Sequence, residues 1–261
     1  MRWVFFILVL VLMFGSVSAP SDFPINQKVE IRKGADVAGE LKDQKVIRSV
    51  ALFKIISRVT GLSDDLKAGR YVFEHRADLL AVLLRVHNGD YGTIIRRITI
   101  PEGSSNAQIS EIIGMEIGKD FQGYLFPDTY FFDQFFTLDE IIDTMISNFK
   151  TKVGEIDYRD LILASIVEEE ASSRIDRKLI AGILQKRLKL SMPLQVDVAP
   201  ETYDIIGLPE RPIVNPGLDA INVVRFPTAS KYLYYLSDES GVTHYAVTFE
   251  EHNANRKKYG I

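Results

Sequence analysis

The stretch Leu161-Ile-Leu-Ala-Ser-Ile-Val-Glu-Glu-Glu170 constrains this chain most, because an apolar run ending in three carboxylates must be both buried and solvated within a few turns. Asp157 is placed to cap a helix that starts at Tyr158, with Asp160 at the third helical position. At helical spacing Ile162, Leu163, Ile166, Val167 and Ala171 fall on one broad apolar arc. Glu168 lies opposite that arc, Glu169 at its edge and Glu170 near its middle. A carboxyl within an apolar arc loses solvation, which favours its neutral form. A carboxylic acid still protonated near neutral pH can protonate a leaving group. An acidic run is most often a solvated helix end, so it is position on the arc that singles out Glu170.

Other chemistries find little support. There is no cysteine, and His75, His87, His244 and His252 show no paired metal-ligand spacing, so neither a metal nor another cofactor is expected. A net charge of -4 gives no reason to expect nucleic acid as a partner. Behind Arg2, Trp3 to Phe14 is almost wholly apolar, and no charge occurs through Pro20. Residues 1–19 therefore read as a signal peptide or a membrane anchor, with everything after about Pro20 outside the cytoplasm.

After a linker at 20–27, Lys28–Arg32 alternates as a strand, and Ile47 to Val59 carries a helical stripe. Lys67–Phe73 reads as a turn into a strand, Leu79 to Leu84 as a second helical stripe, and Thr93–Ile100 as a third strand. Residues 28–103 thus form a small α+β module, and 104–261 a second, mixed α+β domain. In the latter, capping boxes open helices at Ser105–Gln108 and Thr137–Glu140, on either side of the aromatic stretch Phe121–Phe132. Ser172-Ser173 interrupts the helix after Glu170, and Asp176 is expected to cap the next one. The basic end of that helix, Lys186-Arg187-Leu-Lys189, complements the helix dipole. A hairpin over Tyr232–Leu236 and Thr243–Thr248 and a polar helix over Phe249–Tyr259 complete the chain.

Several motifs in this order carry a resemblance. They are Gly123-Tyr-Leu-Phe-Pro-Asp-Thr-Tyr130, Leu163-Ala-Ser-Ile-Val-Glu-Glu-Glu170, Leu194-Gln-Val-Asp197, Thr202-Tyr203 with Gly207-Leu-Pro209, Asn215-Pro-Gly217 and Glu251-His-Asn-Ala-Asn255. The chain resembles the membrane-bound endolytic murein transglycosylases, the MltG or YceG-like family. The resemblance implies a LysM-like module at 28–103 and a catalytic domain at 104–261 that acts as a glycan-strand terminase. Such an enzyme cleaves the MurNAc-β-1,4-GlcNAc bond of peptidoglycan and leaves 1,6-anhydro-MurNAc ends. It implies Glu170 as the single general acid and base, with Glu168 as the fallback. Tyr124, Gln195, Asp197, Tyr203, Asn215, His252 and Asn253 are the substrate-binding residues by the same motifs. Peptidoglycan strands, the cytoplasmic membrane through residues 3–19, and peptidoglycan synthases are the implied partners. Three departures stand out: Gln122 where the family usually has Glu, Ala171 where others often carry Thr, and only Val198 to Glu201 between Asp197 and Thr202. The competing reading is a membrane-tethered glycan-binding scaffold whose catalytic apparatus has decayed.

Overall fold

The computed structural model describes residues 16–171 and 173–260. Most of the expected anchor lies outside the described residues, and among these no helix is long and apolar enough to cross a membrane. The architecture is mixed α+β, with short antiparallel ladders and many helices. Two compact units are present. One comprises the described residues up to Arg96 with Asp133–Phe135; the other comprises Arg97–Phe132 and the described residues from Phe136 onward.

In the first unit, strand β1 (Lys28–Ile31) pairs antiparallel with β2 (Gly69–Val72), setting Val29 against Tyr71. Helices α1 (Val37–Asp43), α2 (Val50–Val59) and α3 (Leu79–Asn88) accompany this ladder. Its core gathers Val29, Ile31, Leu41, Phe53, Tyr71, Phe73, Leu83 and Val86.

The second unit holds Glu170. Strands β3 (Ile95–Thr99) and β4 (Thr129–Asp133), most of whose residues belong to this unit, form a ladder, and between them in sequence lies α4 (Asn106–Ile113). Helix α5 (Leu138–Val153) follows. Both α4 and α5 open on complete capping boxes, at Ser105 with Gln108 and at Thr137 with Glu140. Next come α6 (Tyr158–Glu170), α7 (Arg174–Lys189) and α8 (Leu218–Arg225), which pack on one another. Strands β5 (Tyr234–Ser237) and β6 (Thr243–Ala246) make a hairpin, and α9 (Phe249–Tyr259) ends the chain.

Helix α6 begins as expected, with the Asp157 carboxylate accepting the Arg159 N–H at 2.8 Å. Beyond its exposed first turn it has no solvated side until its last two residues, since every residue from Leu161 to Glu168 is buried. The arc reading, which put Glu168 opposite the apolar face, is corrected on this point. A helix surrounded by α7, α8 and the preceding loops has nowhere to expose a polar face. The expected cap of α7 also moves. Ser173 is the N-cap, its hydroxyl accepting the Asp176 N–H at 3.1 Å, while Asp176 sits in the first turn.

Asn215 locks two of the motifs together. Its Oδ1 accepts the N–H groups of Gly123 (2.7 Å) and Leu125 (3.0 Å), and its Nδ2 donates to Ser104 O (2.9 Å) and Asn106 Oδ1 (3.0 Å). Wholly buried, it has no bonding capacity left for a ligand. Gly123 must be glycine here: its φ is +94°, and a Cβ would come within 2.7 Å of Pro212. Gln122 also fits its place, because its Nε2 donates to Ile213 O at 2.6 Å while its Oε1 accepts the Asn106 N–H at 3.0 Å. An ionised Glu would accept the second bond but could not make the first. Asn215→Ala strands two buried N–H groups, so it should lower unfolding stability by about 3 kcal/mol. Asn215→Asp, which cannot donate to Ser104 O, should lose a similar amount. Urea unfolding of the two variants checks both.

Candidate active site

Three consecutive carboxylates end α6 in three different environments. Glu169 is exposed. Glu168 is 8% exposed, and both of its oxygens are taken: Oε1 by Arg177 Nη2 at 2.7 Å and Oε2 by the Gly217 N–H at 2.7 Å. Burial pushes its carboxyl up, while the Gly217 amide and the Arg177 guanidinium pull it back. Two donors, one of them cationic, make Glu168 an internal ion-pair partner.

Glu170 is held differently. Its Oε2 accepts the Tyr235 hydroxyl at 2.8 Å. Burial pushes its carboxyl above the usual range, the Tyr235 hydroxyl opposes this, and the nearby Asp197 carboxylate pushes it further up. The Val198 amide and Arg187 exert smaller opposing pulls. A half-buried carboxyl with a neutral donor and an anionic neighbour is suited to the protonated form.

The surrounding residues are positioned by a buried cation. Arg187, 5% exposed, donates from Nη1 to Leu194 O (2.6 Å) and from Nε to Leu233 O (2.8 Å). It thereby ties down the backbone just before Gln195-Val-Asp197 and just before Tyr234-Tyr235. This is more than the dipole-complementing charge the sequence suggested, because only its neighbours Lys186 and Lys189 remain accessible. Its guanidinium also lies 5.1 Å from the Tyr234 ring centre, and His252 stacks on the same ring at 5.4 Å. Burial pushes the His252 imidazole down, with Arg256 and Arg187 adding to the effect.

The turn after Asp197 is closed on itself. Thr202, wholly buried, accepts the Val196 N–H (3.0 Å) and donates to Ala199 O (2.6 Å). Beside it the Tyr203 hydroxyl donates to Asp197 Oδ1 at 2.6 Å. Gln195, exposed and with φ +50°, starts the same turn.

Of the residues expected to share a groove with Glu170, Asp197 and Tyr203 face it directly, and Gln195 lies on their turn. His252 joins through Tyr234 and Arg187, and Asn253 follows it on α9, partly exposed. Asn215 does not join them, being sealed inside the unit. Tyr124 does not either. It packs edge-on against Phe149 and faces Tyr158 at the start of α6, roughly 18 Å along the helix from Glu170 at ~1.5 Å per residue. A separate cleft of about 610 Å³, lined by Ser105, Lys119, Gln122 and Arg211 among others, contains none of the expected site residues. Arg187 and Tyr235, both central here, were missed as site residues. One was read as a helix-end charge, and the other was one aromatic among several in a strand.

The chain is similar to several known proteins. The endolytic murein transglycosylase of Bacillus subtilis is 28% identical over 293 residues, covering 85% of this chain and 81% of the relative. That alignment is longer than the whole 261-residue chain, so the relative carries residues with no counterpart here. The enzyme of the same name from Streptococcus pneumoniae is 28% identical over 73% of this chain, which spans half of that relative's length. A crystal structure of a YceG-like protein from Listeria monocytogenes superposes with a TM-score of 0.55 at 25% identity, covering 88% of this chain and 98% of the other. The model of the YceG-like family matches residues 29–200 and 201–258, its one break falling within the short turn between Asp197 and Thr202. With nearly all of the chain beyond the N-terminal stretch matched, this protein belongs to the YceG-like family.

Proposed function

We propose that this chain is a lytic transglycosylase of peptidoglycan that cuts glycan strands internally and acts as a terminase during wall assembly. The observation that carries the reading is the environment of Glu170: a carboxyl raised by burial and by Asp197, yet held by neutral donors, the Tyr235 hydroxyl foremost and the Val198 amide. Its proton goes to the glycosidic oxygen of the MurNAc-β-1,4-GlcNAc bond as positive charge develops at the MurNAc anomeric carbon. The carboxylate left behind then takes the proton of the MurNAc C6 hydroxyl, whose oxygen closes the 1,6-anhydro ring. The departing GlcNAc keeps the first proton, Glu170 regains one, and no water is consumed. Asp197, Tyr203, Gln195, His252 and Asn253 supply the polar and aromatic contacts to the strand. The names of the relatives support this substrate class.

In this reading the first unit is a LysM-like module. An anchor at residues 3–19 keeps both units on the outer face of the cytoplasmic membrane, close to the synthases that make new strands. A reporter fused after Ile261 should therefore be active only if it works outside the cytoplasm. Activity of a cytoplasm-only reporter at that position would refute the export.

Glu170→Gln keeps the shape of a neutral side chain but cannot transfer a proton. Its release of fragments from purified murein sacculi should fall ~10²–10⁴-fold with melting unchanged. Glu168→Gln removes the charge that pairs with Arg177 and should instead cost on the order of 3 kcal/mol in stability. A Glu170→Gln enzyme that retained full activity would contradict the assignment. Sacculus binding by wild type without cleavage would favour the scaffold reading.

A further inference from the structure

Tyr235 is the residue whose side chain bonds directly to the Glu170 carboxyl, and no motif marked it. We infer that Tyr235 is a positioning residue that dictates which Glu170 oxygen carries the transferable proton and steadies the carboxylate left after transfer. The inference rests on Glu170 being the acid of the reaction above.

The geometry is specific. A phenol hydroxyl has one hydrogen to donate, and here it goes to Oε2 at 2.8 Å. In a neutral carboxyl the carbonyl oxygen is the better acceptor, so this bond favours the acid hydrogen on Oε1. Once that proton has left, the same bond becomes a charge-assisted one to an anion and strengthens. Burial keeps the Tyr235 hydroxyl protonated far above the working range, so it remains a donor throughout the cycle.

The ring has little freedom. Tyr235 pairs across the hairpin with Tyr245, whose hydroxyl donates to Asp176 in the first turn of α7. The chain just before it is fixed by Arg187 Nε on Leu233 O and by the Leu233 N–H on Ala246 O at 3.0 Å. The other groups facing Glu170 are Asp197, the Val198 N–H and Tyr203 from the turn and Arg187 from α7. On its own helix Glu169 is exposed and Glu168 is bonded to Arg177 and Gly217.

The test compares Tyr235→Phe, which removes only the hydroxyl, with Tyr245→Phe, which removes a hydroxyl from the same hairpin away from Glu170. Carbon-labelled glutamate carboxyls are titrated by NMR in the full chain, with Glu170→Gln identifying the Glu170 signal. A lost hydrogen bond to the charged form raises the acid's midpoint. Tyr235→Phe should therefore move Glu170 up by about one pH unit, and Tyr245→Phe should leave it in place. On soluble glycan strands, kcat should fall roughly tenfold at unchanged KM in Tyr235→Phe, with the alkaline limb of its pH profile displaced upward. An unmoved midpoint and pH limb in a folded Tyr235→Phe enzyme, with Glu170→Gln inactive, would overturn the role of Tyr235 and leave the function standing. An active Glu170→Gln enzyme would overturn both.

Discussion

Glu168 is a carboxylate at the end of a helical run, Leu161 to Glu168, that has no solvated side, and the architecture around the site depends on neutralising it. Taking such a charge out of water costs several kcal/mol unless it is paired and hydrogen-bonded. Two chain segments must therefore converge on the end of α6: α7, which brings Arg177, and the loop into α8, which brings the Gly217 N–H. Arg177 also donates from Nε to Ala171 O at 2.8 Å. The residues two before and one after Glu170 are thus held by the same guanidinium. The direction in which Glu170 leaves the helix follows from that clamp.

A second buried cation completes the arrangement from the far end of α7. By holding Leu194 O and Leu233 O, Arg187 brings the Asp197 turn and the Tyr235 strand to the same carboxyl. The first turns of helix α7 thus carry the ion pair beside Glu170, and about three turns further on it carries the residue that organises the surroundings of Glu170. The short turn between Asp197 and Thr202 is compatible with this geometry, because the Thr202 hydroxyl accepts the Val196 N–H and donates to Ala199 O. Asp197 and Tyr203 remain paired with each other beside Glu170.

What was legible in the sequence was mostly local. The Asp157 cap, both capping boxes, the hairpin and the last helix depend on residues within a few positions of one another, so pattern and spacing reveal them. Glu168 was misjudged because a helical wheel presumes one face toward water, and α6 has none over most of its length. Arg187 was read as a surface charge because nothing local shows that a helix end is covered by a hairpin more than forty residues later. Asn215 shows the converse: its motif was recognised, but its four bonds, made to two distant segments, make it a brace and not a ligand. Tyr235 needs the packed hairpin before it can be distinguished from Tyr232 and Tyr234 at all.

The central claim is that Glu170 works alone, with the sugar supplying its own nucleophile. Digestion of purified sacculi by the wild-type protein in water labelled with heavy oxygen, followed by mass analysis of the muropeptides, tests it directly. The account predicts 1,6-anhydro-MurNAc ends, each lighter than a reducing end by one water and free of label. Reducing MurNAc ends carrying heavy oxygen would contradict it, and would move the second step to a water activated beside Asp197.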